Sequence, residues 1–326
     1  MTQFDHDFSY LIEKIERAQF KEEPFRHIYL EDFFSPEHFN AITASAEINT
    51  PPAQNDAELL NLLKKNGFKP IPFPGCVTNT DEYIEWHEAG KPSKHHSASE
   101  GFGLALRLID IQSQILEDVN RCLASESFNR SIARKCGVDF DACALDGGIQ
   151  KYLDGYEISP HPDIRKKAAT FMVNINPSDQ SEDIDYHTHY LKFDPAHEYV
   201  EAFWKGNQSI DRAWVPWDWA VSVKQQTKNN SIVLFSPSDD SLHGVKVHYD
   251  HLATQRTQLY GNLWYETDPA QSRIEWEELD LSAAAARLGQ APKLSAMARV
   301  RKTVASAMPT AMKGTIKKMV RRPALD

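Results

Sequence analysis

Seven short strand-like runs crowd the stretch between about residue 145 and residue 265, and no long helical pattern separates them. They read "GIQKYL", "AATFMVNI", "HYLKF", "AVSVK", "SIVLF", "GVKVHY" and "RTQLYGNLWY", with Pro, Asp, Asn, Ser and Gly marking the turns between. Strands of this length, joined by turns, pair antiparallel and stack as a sandwich or jelly roll. Inside two runs the faces differ: Arg256, Gln258, Tyr260, Asn262 and Trp264 alternate with Leu259 and Leu263, and Thr170, Met172 and Asn174 alternate with Phe171, Val173 and Ile175. A polar face lining a cavity and a polar face exposed to water predict this same pattern.

The chain ahead of the strands reads as mainly helical. Phe8, Leu11, Ile12 and Ile15 fall at helical spacing. "PFRHIYLEDFFSPEHF" predicts a short strand and then a helix, capped by Ser35 with Pro36 in its first turn. Leu104, Leu108, Ile111, Ile115 and Val119 predict one amphipathic helix, and residues 50–100, rich in Pro, Asn, Lys and His, predict irregular structure. After residue 281, "SAAAARLG" returns to helix. The organisation expected is one α+β domain over residues 1–281, with a helical part over 1–144 buttressing a strand-built core over about 145–270, and a basic helical tail over 282–326.

Charge narrows the partners. The net charge is −10, yet residues 293–326 hold nine Lys or Arg against one acid, Asp326, so the tail carries +8 and the rest −18. An acidic body speaks against nucleic acid as a general partner. In the tail, Met297, Val300, Val304, Met308, Met312, Ile316 and Met319 recur at three- and four-residue steps with basic residues between, and Pro309 interrupts them. That pattern suits peripheral contact with an anionic membrane through 293–322, docking on the acidic body, or a free tail. Acids early in the chain, no membrane-length apolar run and four cysteines without CxxC spacing lead us to expect a cytoplasmic protein with reduced thiols.

"GYEISPHPD", residues 155–163, places His161 and Asp163 two apart at a strand edge, where both side chains can reach one ion. His243 opens a later strand after "LFSPSDDSL", and Arg256 begins the strand "RTQLYGNLWY". Two histidines and one carboxylate on one side of Fe(II) leave three positions for a bidentate cosubstrate and O2, and arginine offers a planar charged fork to a carboxylate. Other histidines compete: His248 and His251 for the distal place, while His187 and His189 suit core or substrate-contact roles.

Taken together, "YLDGYEISPHPDIRKKAATFMVNINP", "LFSPSDDSLHGV" and "RTQLYGNLWY" resemble the Fe(II)/2-oxoglutarate-dependent dioxygenases, in the prolyl-4-hydroxylase-like branch. The resemblance implies a double-stranded β-helix core. It implies His161, Asp163 and His243 as iron ligands, Arg256 as the anchor of the distal carboxylate of 2-oxoglutarate, and Tyr152 as a hydrogen-bonding partner of that cosubstrate. The activity implied is hydroxylation of an unactivated C–H, using Fe(II), 2-oxoglutarate and O2, with ascorbate as a candidate reductant and succinate and CO2 as coproducts. The chain departs from the branch in a longer His243–Arg256 spacing, which requires an extra turn around "HYDHLATQ", and in "DIDYHTHYLKF" after the first ligand pair. A cupin-like metal protein that isomerises or binds a small molecule without O2 is the alternative, and an inactive scaffold a third. Trp204, Trp214, Trp217 and Trp219 fall close together and suit either the core of an insertion or a wall against a small-molecule or conjugate substrate.

Overall fold

Polar side chains cap several of the helices that precede most of the strands. In this computed structural model, which describes residues 8–92 and 102–267, helix α1 (Ser9–Arg17) buries Leu11 and Ile15. Strand β1 (Ile28–Leu30) leads to α2 (Pro36–Ala44), where Ser35 Oγ accepts the His38 N–H. Asn55 caps α3 (Asp56–Lys65) and Asn79 caps α4 (Thr80–Glu88), so the segment expected to be irregular holds two helices with strand β2 (Phe68–Pro70) between them. Polar caps and exposed Lys and Glu hid their apolar stripes, which bury only Leu59, Leu60 and Leu63 in the first and Tyr83 and Trp86 in the second.

The single helix expected over 104–119 is two elements: strand β3 (Ala105–Leu108) and helix α5 (Gln114–Leu123). Leu104, Leu106 and Leu108 are all buried, and Leu106 and Leu108 pair with β2; Leu104 and Leu108, four apart, fit the period of a strand and of a helix alike. A further helix, α6 (Glu126–Cys136), closes on Gly137 in the left-handed conformation (φ 71°). Residues 1–144 therefore contribute three strands as well as helices.

Eight more strands follow: β4 (Cys143–Tyr152), β5 (Glu157–His161), β6 (Lys167–Asn174), β7 (His189–Phe193), β8 (Ala220–Gln225), β9 (Ile232–Phe235), β10 (His243–Lys246) and β11 (Arg256–Tyr265). One helix, α7 (Tyr199–Gly206), interrupts them between β7 and β8. The eleven described strands form two antiparallel sheets, one of seven strands in the order β1-β9-β6-β11-β4-β3-β2 and one of four in the order β5-β10-β7-β8. Successive strands from β4 to β9 thus divide between the sheets, and β11 returns to the middle of the larger one.

The two faces of the large sheet have different tasks. Ile149, Phe171, Val173, Leu259 and Leu263 join Leu11, Leu59, Leu63, Leu116 and Ile132 in the main core beneath the helices. Arg256, Gln258, Tyr260, Trp264, Thr170 and Met172 face the other way, into a cavity shared with the small sheet. The polar face thus lines a cavity. All four cysteines are free thiols. Among the described residues no helix is long and apolar enough to cross a membrane. The chain divides after Gln271, and the expected tail, 282–326, lies outside the described residues.

Candidate metal and carboxylate site

Strand register builds the site. His243 and His161 are direct partners across the antiparallel β10–β5 pair, and a bulge follows His243. Arg256 and Tyr152 are likewise direct partners where β11 meets β4. Cross-strand partners present side chains to the same face, so residues far apart in the chain meet within one cavity.

His161, Asp163 and His243 each bring one ligand atom to within 4.8 Å of the others. His161 Nε2 lies 3.5 Å from Asp163 Oδ1, and His243 Nε2 lies 3.7 Å from Asp163 Oδ2. Both rings are oriented from behind: His161 Nδ1 donates to the Ser159 carbonyl at 2.8 Å and His243 Nδ1 to the Ser241 carbonyl at 2.9 Å. In that tautomer each Nε2 carries a lone pair facing Asp163. Burial, with His161 beside it, lowers the His243 pKa to about 3, so its ring is neutral at physiological pH.

Asp163 holds its place through strained backbone and two basic neighbours. Its φ is 63°, a left-handed conformation that aspartate tolerates better than most residues. Arg212 Nε donates to its carbonyl at 2.9 Å, and Lys167 Nζ donates to Oδ1 at 2.7 Å. Burial alone would raise the Asp163 pKa, but Lys167 and the two histidines outweigh it and hold the carboxylate well below its ordinary range. Oδ2 is buried without a hydrogen-bond partner. A buried, ionised, unpartnered oxygen beside two imidazole lone pairs suits a divalent cation.

A second cluster, Asp56, His87 and His251, also meets the distance condition for a metal. Its spacing says otherwise. His87 Nδ1 is 2.8 Å from Asp56 Oδ2, and His251 Nε2 is 2.6 Å from Asp56 Oδ1. Those are hydrogen-bond lengths, whereas donor atoms around one ion at ~2.1 Å bonds stand roughly 3–3.5 Å apart. His87 Nε2 meets Asp154 Oδ2 at 3.2 Å, so both its nitrogens face carboxylates and neither is free to ligate.

Deeper in the cavity, Arg256 is 2 % exposed. Its guanidinium carbon sits 4.7 Å from the centre of the Tyr152 ring, and Nη2 donates to Thr188 Oγ1 at 2.9 Å. Nε is buried without a partner. No acid among the described residues pairs with Arg256. A buried guanidinium lacking a counter-ion is costly to fold around, and its charge suits an anionic ligand. The Tyr152 hydroxyl stands 2.5 Å from the Gln150 amide; turned with its nitrogen to that hydroxyl, the amide offers its oxygen to Arg107 Nη2 at 2.7 Å.

The cavity, about 630 Å3, runs from Arg256 and Thr188 past the three candidate ligands to Ile164, Trp214 and Trp264. Trp204 packs into a small core with Leu191, Phe193 and Leu242, while Trp214 lines the cavity near His161. His187, His189, His248 and His251 stand apart from the three ligands: His187 bonds the Ser181 carbonyl, His189 bonds Ser222, His248 lies near Asp154, and His251 bonds Asp56. Sequence reasoning did not single out Lys167, Thr188 or Arg212. Lys167 follows Asp163 by four residues at the start of a strand, which was the readable signal; Thr188 and Arg212 become visible only through non-local contacts.

No protein-family model matches the chain, and no curated protein matches it. Among solved structures it is similar to a Trichoplax adhaerens prolyl hydroxylase in complex with a hypoxia inducible factor peptide fragment, at 12% identity over 82% of this chain and 93% of that one, TM-score 0.40. A Pseudomonas putida prolyl-4-hydroxylase is similar at 7% identity over 79% and 99%, TM-score 0.39. A 2OG-Fe(II) oxygenase family oxidoreductase from Burkholderia pseudomallei is similar at 10% identity over 69% and 97%, TM-score 0.26. Likenesses this distant decide nothing about the chemistry, which rests on the distances above.

Proposed function

We propose that this protein is an Fe(II)- and 2-oxoglutarate-dependent dioxygenase with a jelly-roll (double-stranded β-helix) core, hydroxylating a C–H of a small-molecule or conjugate substrate. One observation carries the reading: a buried Arg256 with no acid partner among the described residues shares a cavity with two imidazole nitrogens and an orphaned carboxylate oxygen. The donor set, two neutral nitrogens and one carboxylate, suits Fe(II). The guanidinium suits the distal carboxylate of 2-oxoglutarate.

In this reading His161, Asp163 and His243 hold the iron, with the Ser159 and Ser241 carbonyls and Lys167 fixing their orientation. Arg256 and Thr188 bind the distal carboxylate, and Tyr152 flanks it. Iron supplies the redox chemistry by which 2-oxoglutarate, O2 and R–H become succinate, CO2 and R–OH. The chain contributes orientation and a cavity that excludes water. Trp214, Trp264, Ile164 and Phe73 give the outer cavity aromatic and apolar walls, which favour a ring or hydrocarbon portion of the substrate.

Purified protein given Fe(II), 2-oxoglutarate and O2 should release succinate, and Asp163→Ala should abolish it. Undiminished turnover in that variant removes Asp163 from the site. Metal binding with no dependence on 2-oxoglutarate would select the cupin-like alternative.

A further inference from the structure

The extra turn between β10 and β11 carries Tyr249, and this residue touches the backbones of both Arg256 and Tyr152. Its hydroxyl accepts the Arg256 N–H at 3.0 Å and donates to the Tyr152 carbonyl at 2.6 Å. Arg256 and Tyr152 are register partners at the end of their strands, where pairing is weakest. One phenol therefore links the backbones of the two residues that line the anion pocket.

Tyr249 is in turn held by charges. Its N–H donates to Asp154 Oδ1 at 3.2 Å. Asp154 Oδ2 receives Lys91 Nζ at 2.7 Å and His87 Nε2 at 3.2 Å, and His87 Nδ1 reaches Asp56 Oδ2 at 2.8 Å. The groups facing His87 are Asp56 from α3, Tyr83 from its own helix α4, Asp154 from the β4–β5 turn and His251 from the β10–β11 connection, and its partner Asp154 is faced in turn by Lys91 just beyond α4 and by His248 and Tyr249 from the β10–β11 connection. Gly155 lets the β4–β5 turn approach this closely, since its φ is 81° and a Cβ there would meet the Trp86 ring at 2.3 Å.

We propose that Tyr249, held by the Asp56–His87–Asp154 network, is a positioning residue that fixes where Arg256 presents its guanidinium, so that the charge on this network tunes affinity for 2-oxoglutarate and leaves the metal site alone. The inference rests on Arg256 being the anchor for that cosubstrate. Only an imidazolium can donate to both carboxylates at once. Hydrogen bonds to Asp154 and Asp56 outweigh burial and raise the His87 pKa to about 9, so the double bridge is intact at neutral pH. Above that pH one ring nitrogen becomes an acceptor facing a carboxylate, and the hold on Asp154 or Asp56 is lost.

The test is calorimetric binding of 2-oxoglutarate to full-length, Mn(II)-loaded protein without O2, at pH 7.5 and 9.5, for wild type, Tyr249→Phe and His87→Gln. Losing one or two hydrogen bonds of ordinary net strength predicts about 5- to 10-fold weaker binding in Tyr249→Phe at pH 7.5, with Mn(II) affinity unchanged. Wild type should bind several-fold more weakly at pH 9.5 than at 7.5, and His87→Gln should be weak at both. Wild-type affinity in Tyr249→Phe, or equal loss of Mn(II) and 2-oxoglutarate, overturns the inference alone. If Tyr249→Phe does not fold, His87→Gln decides, and a retained pH step overturns it. Wild type that binds Mn(II) but no 2-oxoglutarate overturns the reading of Arg256 itself, and the inference with it.

Discussion

Lys167 and Asp163 form a buried ion pair in which only one carboxylate oxygen takes part: Nζ lies 2.7 Å from Oδ1, while Oδ2 has no hydrogen-bond partner. The lysine thus orients the carboxylate and neutralises part of its charge, while the second oxygen faces His243. Pairing an acid with a base on one side only is a compromise between stability and ligation.

That compromise has a measurable cost. Asp163→Ala leaves Lys167 as an uncompensated buried ammonium, so the metal-free variant should lose about 3–5 kcal/mol of unfolding free energy. Adding Lys167→Met should recover most of the loss, because an apolar side chain replaces the stranded charge. Urea unfolding of the two variants and the wild type checks this. Equal stability of the single and double variants would show that Lys167 reaches water once the aspartate is gone.

Arg256 makes the opposite trade. Without a counter-ion among the described residues, its guanidinium is a burden on the metal-free fold, so Arg256→Met should be as thermally stable as wild type or more so. The same change should weaken 2-oxoglutarate binding about 30- to 1,000-fold, the range for removing one partner of a buried charge pair. Thermal melts and a 2-oxoglutarate titration on the same preparation read both effects.

Stability should also carry the signature of His87. Its folded-state pKa, about 9, lies above the ordinary 6.5. The stabilisation is therefore complete below about pH 6.5 and is lost as pH rises through about 9. Wild-type Tm should fall between pH 8 and 10 by more than that of His87→Gln, which lacks the titrating group. Parallel decline of the two melts over that range would remove His87 from the account.

Much of this was readable along the chain, and the unread parts share a cause. "RTQLYGNLWY" gave β11 to the residue, and its alternation separated the cavity face from the core face. Ser35 and Pro36 marked a helix start because capping is local chemistry. His161, Asp163 and His243 could be singled out because ligands need particular side chains, although only register brings the third to the first two. The helix expected over 104–119 did not form because Leu104 and Leu108 fit a strand as well as a helix face, and pairing with β2 and β4 settled the matter. Tyr249 and Arg212 act by touching backbone across long sequence separations. No local pattern announces such contacts.

The position of β11 also bears on how the molecule must be made. It is the last of the eleven described strands to be synthesised, yet it lies between β4 and β6 in the middle of the seven-stranded sheet. Until residues 256–265 emerge from the ribosome, β4 and β6 each present a bare ladder edge, open to pairing with other chains. Such late, long-range closure slows folding and makes it cooperative. A fragment ending before Arg256 should therefore aggregate rather than fold, and the residue that opens β11 is also the one whose buried guanidinium lines the cavity.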